Sequence, residues 1–119
     1  MAVTIKWLPS TATASTDTAI TTLDLGTITA GNYVEKQFKV ANVGTSLAES
    51  VVISCIGSDT DAVSWKNYKY GAGSYGTTAS VPNIASNGIS DAITIKSTVP
   101  LSATAGVHST LTQIAYVYS

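Results

Sequence analysis

The chain has 119 residues, enough for one domain with a real core and without metal or disulfide staples. Only 11% of its residues are charged, the net charge is −1, and all six basic residues are lysines scattered along the chain, at 6, 36, 39, 66, 69 and 96. With no Arg and no basic run there is little to displace counterions from phosphates, which argues against nucleic-acid binding.

Periodicity of two, broken by Gly, Asn, Asp and Ser, recurs along the chain, and no segment sustains a helical period. Val3, Ile5 and Trp7 alternate with Thr4 and Lys6, which predicts a half-buried first strand ending at Pro9. Residues 1–10 therefore read as an N-terminal strand or arm suited to attachment, since a terminal strand can add to a neighbour's sheet. A polar connection runs from Ser10 to Thr18. Leu23 and Leu25 lead into Gly26–Gly31, read as a short strand and a turn.

Tyr33–Asn42 is the clearest strand, with Val34, Phe38 and Val40 on one face and Glu35, Gln37 and Lys39 on the other. Lys36 falls on the apolar face and is expected to reach out to solvent. Val51–Ile56 reads as a central strand buried on both faces, and Val63–Tyr70 as a further strand containing Trp65. A flexible turn at Gly71–Ser74 leads through Tyr75 and Gly76. Ile89, Ile93 and Ile95, after the Asn87-Gly88 turn, mark a later strand; Val99–Gly106 is a connection. Leu111–Tyr118 is the last strand, with Tyr116 and Tyr118 on one face. Some seven or eight short strands separated by turns predict an all-β antiparallel sandwich of the immunoglobulin-like kind, in a single domain.

Two stretches resemble a known family. Leu23-Asp24-Leu25-Gly26-Thr27-Ile28-Thr29-Ala30-Gly31 followed by Lys36-Gln37-Phe38-Lys39-Val40-Ala41-Asn42-Val43-Gly44 is similar to the opening of immunoglobulin-like domains of the abnormal-spindle/hydin type. Val99-Pro100, Ala103-Thr104-Ala105-Gly106-Val107 and Tyr116 resemble the last two strands of such domains. Gly26 and Gly31, and Asn42 and Gly44 after the strand, are expected to take left-handed turns. The two cysteines of antibody-type domains are missing. In its Ser/Thr/Ala-rich layout the chain also resembles small structural proteins of tailed bacteriophages.

That second resemblance implies a non-enzymatic virion protein, a capsid decoration or cement protein, made in the host cytoplasm and bound to the major capsid protein or another virion protein. A tail-associated structural role and a carbohydrate- or host-surface-binding module are the alternatives, and homo-oligomerisation is compatible with the low charge. The opening residues lack the apolar core and cleavage site of a signal peptide, and no stretch is long and apolar enough for a membrane helix.

No residue constellation performs chemistry, and no cofactor or metal site is expected. His108 and Ser109 are neighbours that a strand would point to opposite faces, so they make no nucleophile and base pair. Asp59-Thr60-Asp61 lacks the glycine and closing Glu of a calcium loop and reads as a solvated turn. Cys55, the one cysteine, shares a face with Val51 and Ile53 and reads as a small buried hydrophobe. The contact residues expected from sequence are Val3, Ile5 and Trp7 on the first strand and Tyr68, Tyr70 and Tyr75 around the glycine-rich turn, with Trp65 in the core.

Overall fold

The computed structural model describes residues 2–23, 25–103, 106, 108 and 111–118, without the side chains of residues 111, 117 and 118. Its eight strands are β1 (Ile5–Pro9), β2 (Tyr33–Asn42), β3 (Ala48–Ile56), β4 (Lys66–Tyr70), β5 (Thr78–Val81), β6 (Gly88–Ile89), β7 (Ile93–Thr98) and β8 (Leu111–Tyr118). One short helix, α1 (Thr60–Ser64), precedes β4. All strand pairs are antiparallel and form two sheets. Sheet A has the order β1-β2-β7-β4, with β6 also on β2; sheet B has the order β5-β3-β8. The chain is an all-β antiparallel sandwich.

The alternation in β2 explains the layering. Phe38 and Val40 point between the sheets, where they meet Ile93 and Ile95 of β7, Tyr68 of β4, and Val51 and Ile53 of β3 in one buried cluster. Trp7 closes this core at β1, its ring tilted against Phe38 at 5.8 Å between centroids. β6 and β7 lie end to end along β2, interrupted at Ser90, whose hydroxyl accepts from the Val40 amide while its own amide donates to the Val40 carbonyl.

The opposite face of sheet A is half covered. Leu8, Ala12 and Ala41 are buried there in a second small cluster with Ile89 against it. The polar connection after β1 supplies this cover: Lys39 Nζ donates to the Ala12 carbonyl at 2.8 Å and Lys6 Nζ to the Ser15 carbonyl at 3.0 Å. The two lysines tie the connection down by backbone oxygens while their stems lie on the sheet. Among the described residues no connection covers the other half of that face, across β2, β7 and β4.

Several expectations are corrected. Residues 25–32 form no strand; Gly26 and Gly31 do have positive φ, at 76° and 88°, and bracket an irregular segment tied to Val99 through the Gly31 amide. The expected strand at Val63–Tyr70 splits into the end of α1 and β4, because Asp59 caps the helix by accepting from the Ala62 amide at 3.0 Å. β3 is central in its sheet but buried on one face only: Val51 and Ile53 are inside, Val52 and Ser54 half-buried, and Ile56 is exposed at the strand's end. β5 was not expected from the sequence.

Asn42 is not a left-handed turn residue but a buried strand residue. Its Nδ2 donates to the carbonyls of Ser46 at 2.6 Å and Ile84 at 3.0 Å, and its Oδ1 accepts from the amides of Gly44 at 3.0 Å and Thr4 at 3.4 Å. Gly44 is required by close approach rather than by φ: a Cβ there would overlap the Ala2 carbonyl oxygen and sit 2.7 Å from the Thr4 amide nitrogen. Residues 2–4 are held on this loop by Val43 N–H to Thr4 O at 2.8 Å and Thr45 N–H to Ala2 O at 2.9 Å. The N-terminal strand pairs within its own sandwich, as an edge of sheet A.

Candidate functional site

Of the expected contact residues, most are drawn inward. Val3 is buried, and Ile5 and Trp7 pack against the main core. Tyr68 is fully buried, its hydroxyl 2.9 Å from the Thr112 hydroxyl, and burial pushes its phenol well above the ordinary range. Tyr70 is half-buried on the same inner face of β4, where its hydroxyl accepts from the Asp91 amide at 3.1 Å. Strand alternation is the reason: with Tyr68 and Tyr70 facing the core, Asn67 and Lys69 face out. Tyr68 and Tyr70 therefore do share a face, but it is the buried one.

Tyr75 alone of the six lies on the open half of sheet A. The turn after β4 folds it back over the sheet. Its hydroxyl donates to Glu35 of β2, and its ring faces Lys69 Nζ at 4.9 Å and Lys96 Nζ at 5.2 Å. Burial, with the Glu35 carboxylate beside it, pushes the phenol up to about 12, so it stays a neutral donor. Lys96 also lies over the ring of Tyr33, at 4.4 Å. Tyr33 is 57% exposed at the start of β2, a residue the sequence reading did not single out.

Strand register assembles this face. Glu35 lies opposite Lys96 and Gln37 opposite Thr94 across β2–β7; Asn67 lies opposite Lys96 and Lys69 opposite Thr94 across β7–β4. The result is two polar rows, Glu35–Lys96–Asn67 and Gln37–Thr94–Lys69, roofed at one end by Tyr33 and Tyr75. Ser10, Glu35, Lys36, Gln37, Lys69 and Thr94 line a shallow open hollow on it, with Ser10 marking where the covering connection begins. Lys69 and Lys96 against Glu35 give this face a charge of +1 on a chain of net −1. The Lys69 and Lys96 ammoniums lie on ring faces beside a shallow polar hollow, an arrangement suited to binding by charge, stacking and hydrogen bonds.

A second polar group sits at the far end of β4. His108 Nδ1 pairs with the Asp59 carboxylate, and its ring packs on Trp65 at 4.9 Å between centroids. Lys66 is buried beside them, with Nζ donating to the Ala62 carbonyl at 3.0 Å, and desolvation lowers its pKa. Trp65 is half-buried, at the rim of the core rather than inside it. This group fastens α1 to the connection before β8; Asp59, expected as a solvated turn residue, does this by capping the helix and pairing with His108. Cys55, expected as a small buried hydrophobe, is half-buried against the core.

Ser109, Thr104, Ala105, Val107 and the side chain of Tyr118 lie outside the described residues. Among the described residues no three His, Cys, Asp or Glu side chains are grouped to hold a metal ion, and no helix is long and apolar enough to cross a membrane. Comparison with known proteins found no matching family model, no similar curated protein and no similar solved structure.

Proposed function

We propose that this chain is a non-enzymatic binding domain that attaches through the open half of sheet A, as a decoration or cement protein on a virion surface. The observation that carries the attachment surface is the clustering of Tyr33, Tyr75, Lys69 and Lys96 around Glu35 on an otherwise capped sheet. The covering connection closes the apolar half of the face and stops where the polar, aromatic half begins. The virion setting rests on the resemblance in layout to small phage structural proteins, and the immunoglobulin-like family on the motifs around Gly26–Gly44.

The chemistry of the partner follows from the face. A locally positive, tyrosine-rimmed surface on a chain of net negative charge fits an acidic protein surface, such as that of a major capsid protein. Many copies on a repeated lattice would stabilise the assembled state by mass action. Lys96→Gln should remove the positive charge at the centre of the face and weaken co-sedimentation with purified particles roughly tenfold, while circular dichroism shows the variant still folded. Undiminished attachment of that variant would remove the face from the proposal.

The exposed ring of Tyr33 beside Gln37 and Thr94 favours one alternative ligand, a sugar ring stacked on the tyrosine. On that reading Tyr33→Ala with Tyr75→Ala abolishes binding to an immobilised glycan array, and attachment to protein-only particles is unaffected. Absence of glycan binding by the intact chain at millimolar sugar would discard it.

A further inference from the structure

A strand with an open side is a template for another strand, and folded proteins shield such edges with charge, proline, short length or a covering segment. Three of the four edge strands of this sandwich are shielded in these ways. β1 carries Lys6, ends in Pro9 and has its Trp7 carbonyl taken by the Ile20 amide at 2.9 Å. β4 carries Lys66 and Lys69, and its outer side is closed by two bonds between Tyr68 and Gly76, at 2.8 and 2.9 Å. β5 has four residues and is followed by Pro82.

Among the described residues β8 has none of these devices. Its eight residues, Leu-Thr-Gln-Ile-Ala-Tyr-Val-Tyr, contain no charge, proline or glycine and are rich in strand-forming types. It pairs with β3 on one side, and among the described residues no strand or loop bonds to its other side. Gln113, Ala115 and Tyr116 are exposed along it.

We infer that β8 is a pairing edge for a second copy of this chain, joined antiparallel to the same strand so that two copies of sheet B form one continuous sheet. The occupant follows from what each candidate edge offers. A sheet-extending partner needs an unshielded edge of its own, and among the described residues of this chain β8 is that edge. An uncharged strand meets no like-charge repulsion from its own copy, and antiparallel self-pairing satisfies a two-fold axis, the commonest symmetry of soluble oligomers. Registers that keep the inner faces continuous set Ile114 across from Ile114, or from Tyr116 of the other copy. Both are apolar pairs that stabilise a ladder. Sheet B has three strands, so the joined sheet has six. The edge lies on the sheet opposite the proposed attachment face, so dimerisation and attachment are separable.

The test is sedimentation equilibrium of the full chain from micromolar to millimolar concentration, with amide exchange measured across the same range. The mass should rise from 12.2 kDa toward twice that value, and alternate amides of β8 should gain protection as it does, while those of β5 do not. Gln113→Lys with Ala115→Lys, both at exposed positions, should hold the chain monomeric without changing its circular dichroism or melting temperature. If the lysines disturb folding, the exchange data on the unaltered chain decide the matter. A monomer throughout the range, a dimer whose β8 amides exchange as in the monomer, or a folded lysine variant that still dimerises would each overturn the inference. A chain that stays monomeric but captures a strand from another protein also overturns it, because the occupant is then not a second copy.

Discussion

Asn42 is the residue on which the most backbone depends. It satisfies the Ser46 and Ile84 carbonyls and the Gly44 and Thr4 amides from a fully buried position. Asn42→Ala leaves those groups without partners in a place water does not reach, and should cost about 3 kcal/mol, read from urea denaturation. Asp17 and Asp59 are carboxylates whose pKa falls on folding. Asp17 is held below 3.8 by the Thr13 and Ala14 amides, and Asp59 by the Ala62 amide and then His108. A carboxylate whose pKa drops on folding contributes stability that is complete above the unfolded value and is lost as pH falls through the folded one. Stability should therefore decline below pH 3.8, and Asp17→Asn with Asp59→Asn should flatten that decline in urea midpoints measured against pH. An unchanged acid slope in the double variant would show that other groups control it.

At the scale of elements, the bounds of β2 were legible because Phe38 and Val40 alternate with Gln37 and Lys39, but the buried role of Asn42 at its end was not. β8 was legible for a different reason, an uninterrupted run of strand-forming residues before the C-terminus. β4 was read as part of one strand, Val63–Tyr70, because nothing in the spacing separates the five residues of α1 from it; in the structure Tyr68 and Tyr70 face inward and Lys66 shares that face. The amine is tolerated because the end of α1 offers the Ala62 carbonyl, a partner that depends on a helix of five residues with little signal of its own. The available signal was Asp59, three residues ahead of the amide it caps. The site itself was half legible. Tyr75 was expected, but Tyr33, Lys69 and Lys96 are brought to it by the pairing of β2, β7 and β4, a long-range register that spacing along the chain does not encode. Gly44 marks where the N-terminal segment crosses the loop after β2. Gly44→Ala should displace residues 2–4 and lower stability by about 2 kcal/mol in the same denaturation assay, as overpacking does elsewhere.

The whole molecule is a sandwich sealed differently on its surfaces. The β4–Gly76 bridge closes one side, and the connection after β1 covers half of sheet A. What stays open is a charged tyrosine face on one sheet and an uncharged strand edge on the other. That division suits a protein that meets a surface with one side and its own copies with another. Attachment through the charged face should weaken with ionic strength, whereas pairing through β8 should not, a difference that salt titration of the two equilibria would show directly. We propose that this chain is a structural component of a virion. It is tested most directly by counting its copies in purified particles from a culture that expresses it, by quantitative mass spectrometry. On that proposal the chain is present at a fixed ratio to the major shell protein, near one copy per subunit or one per three. Absence of the chain from the particles would contradict it and leave the tyrosine face to a soluble ligand.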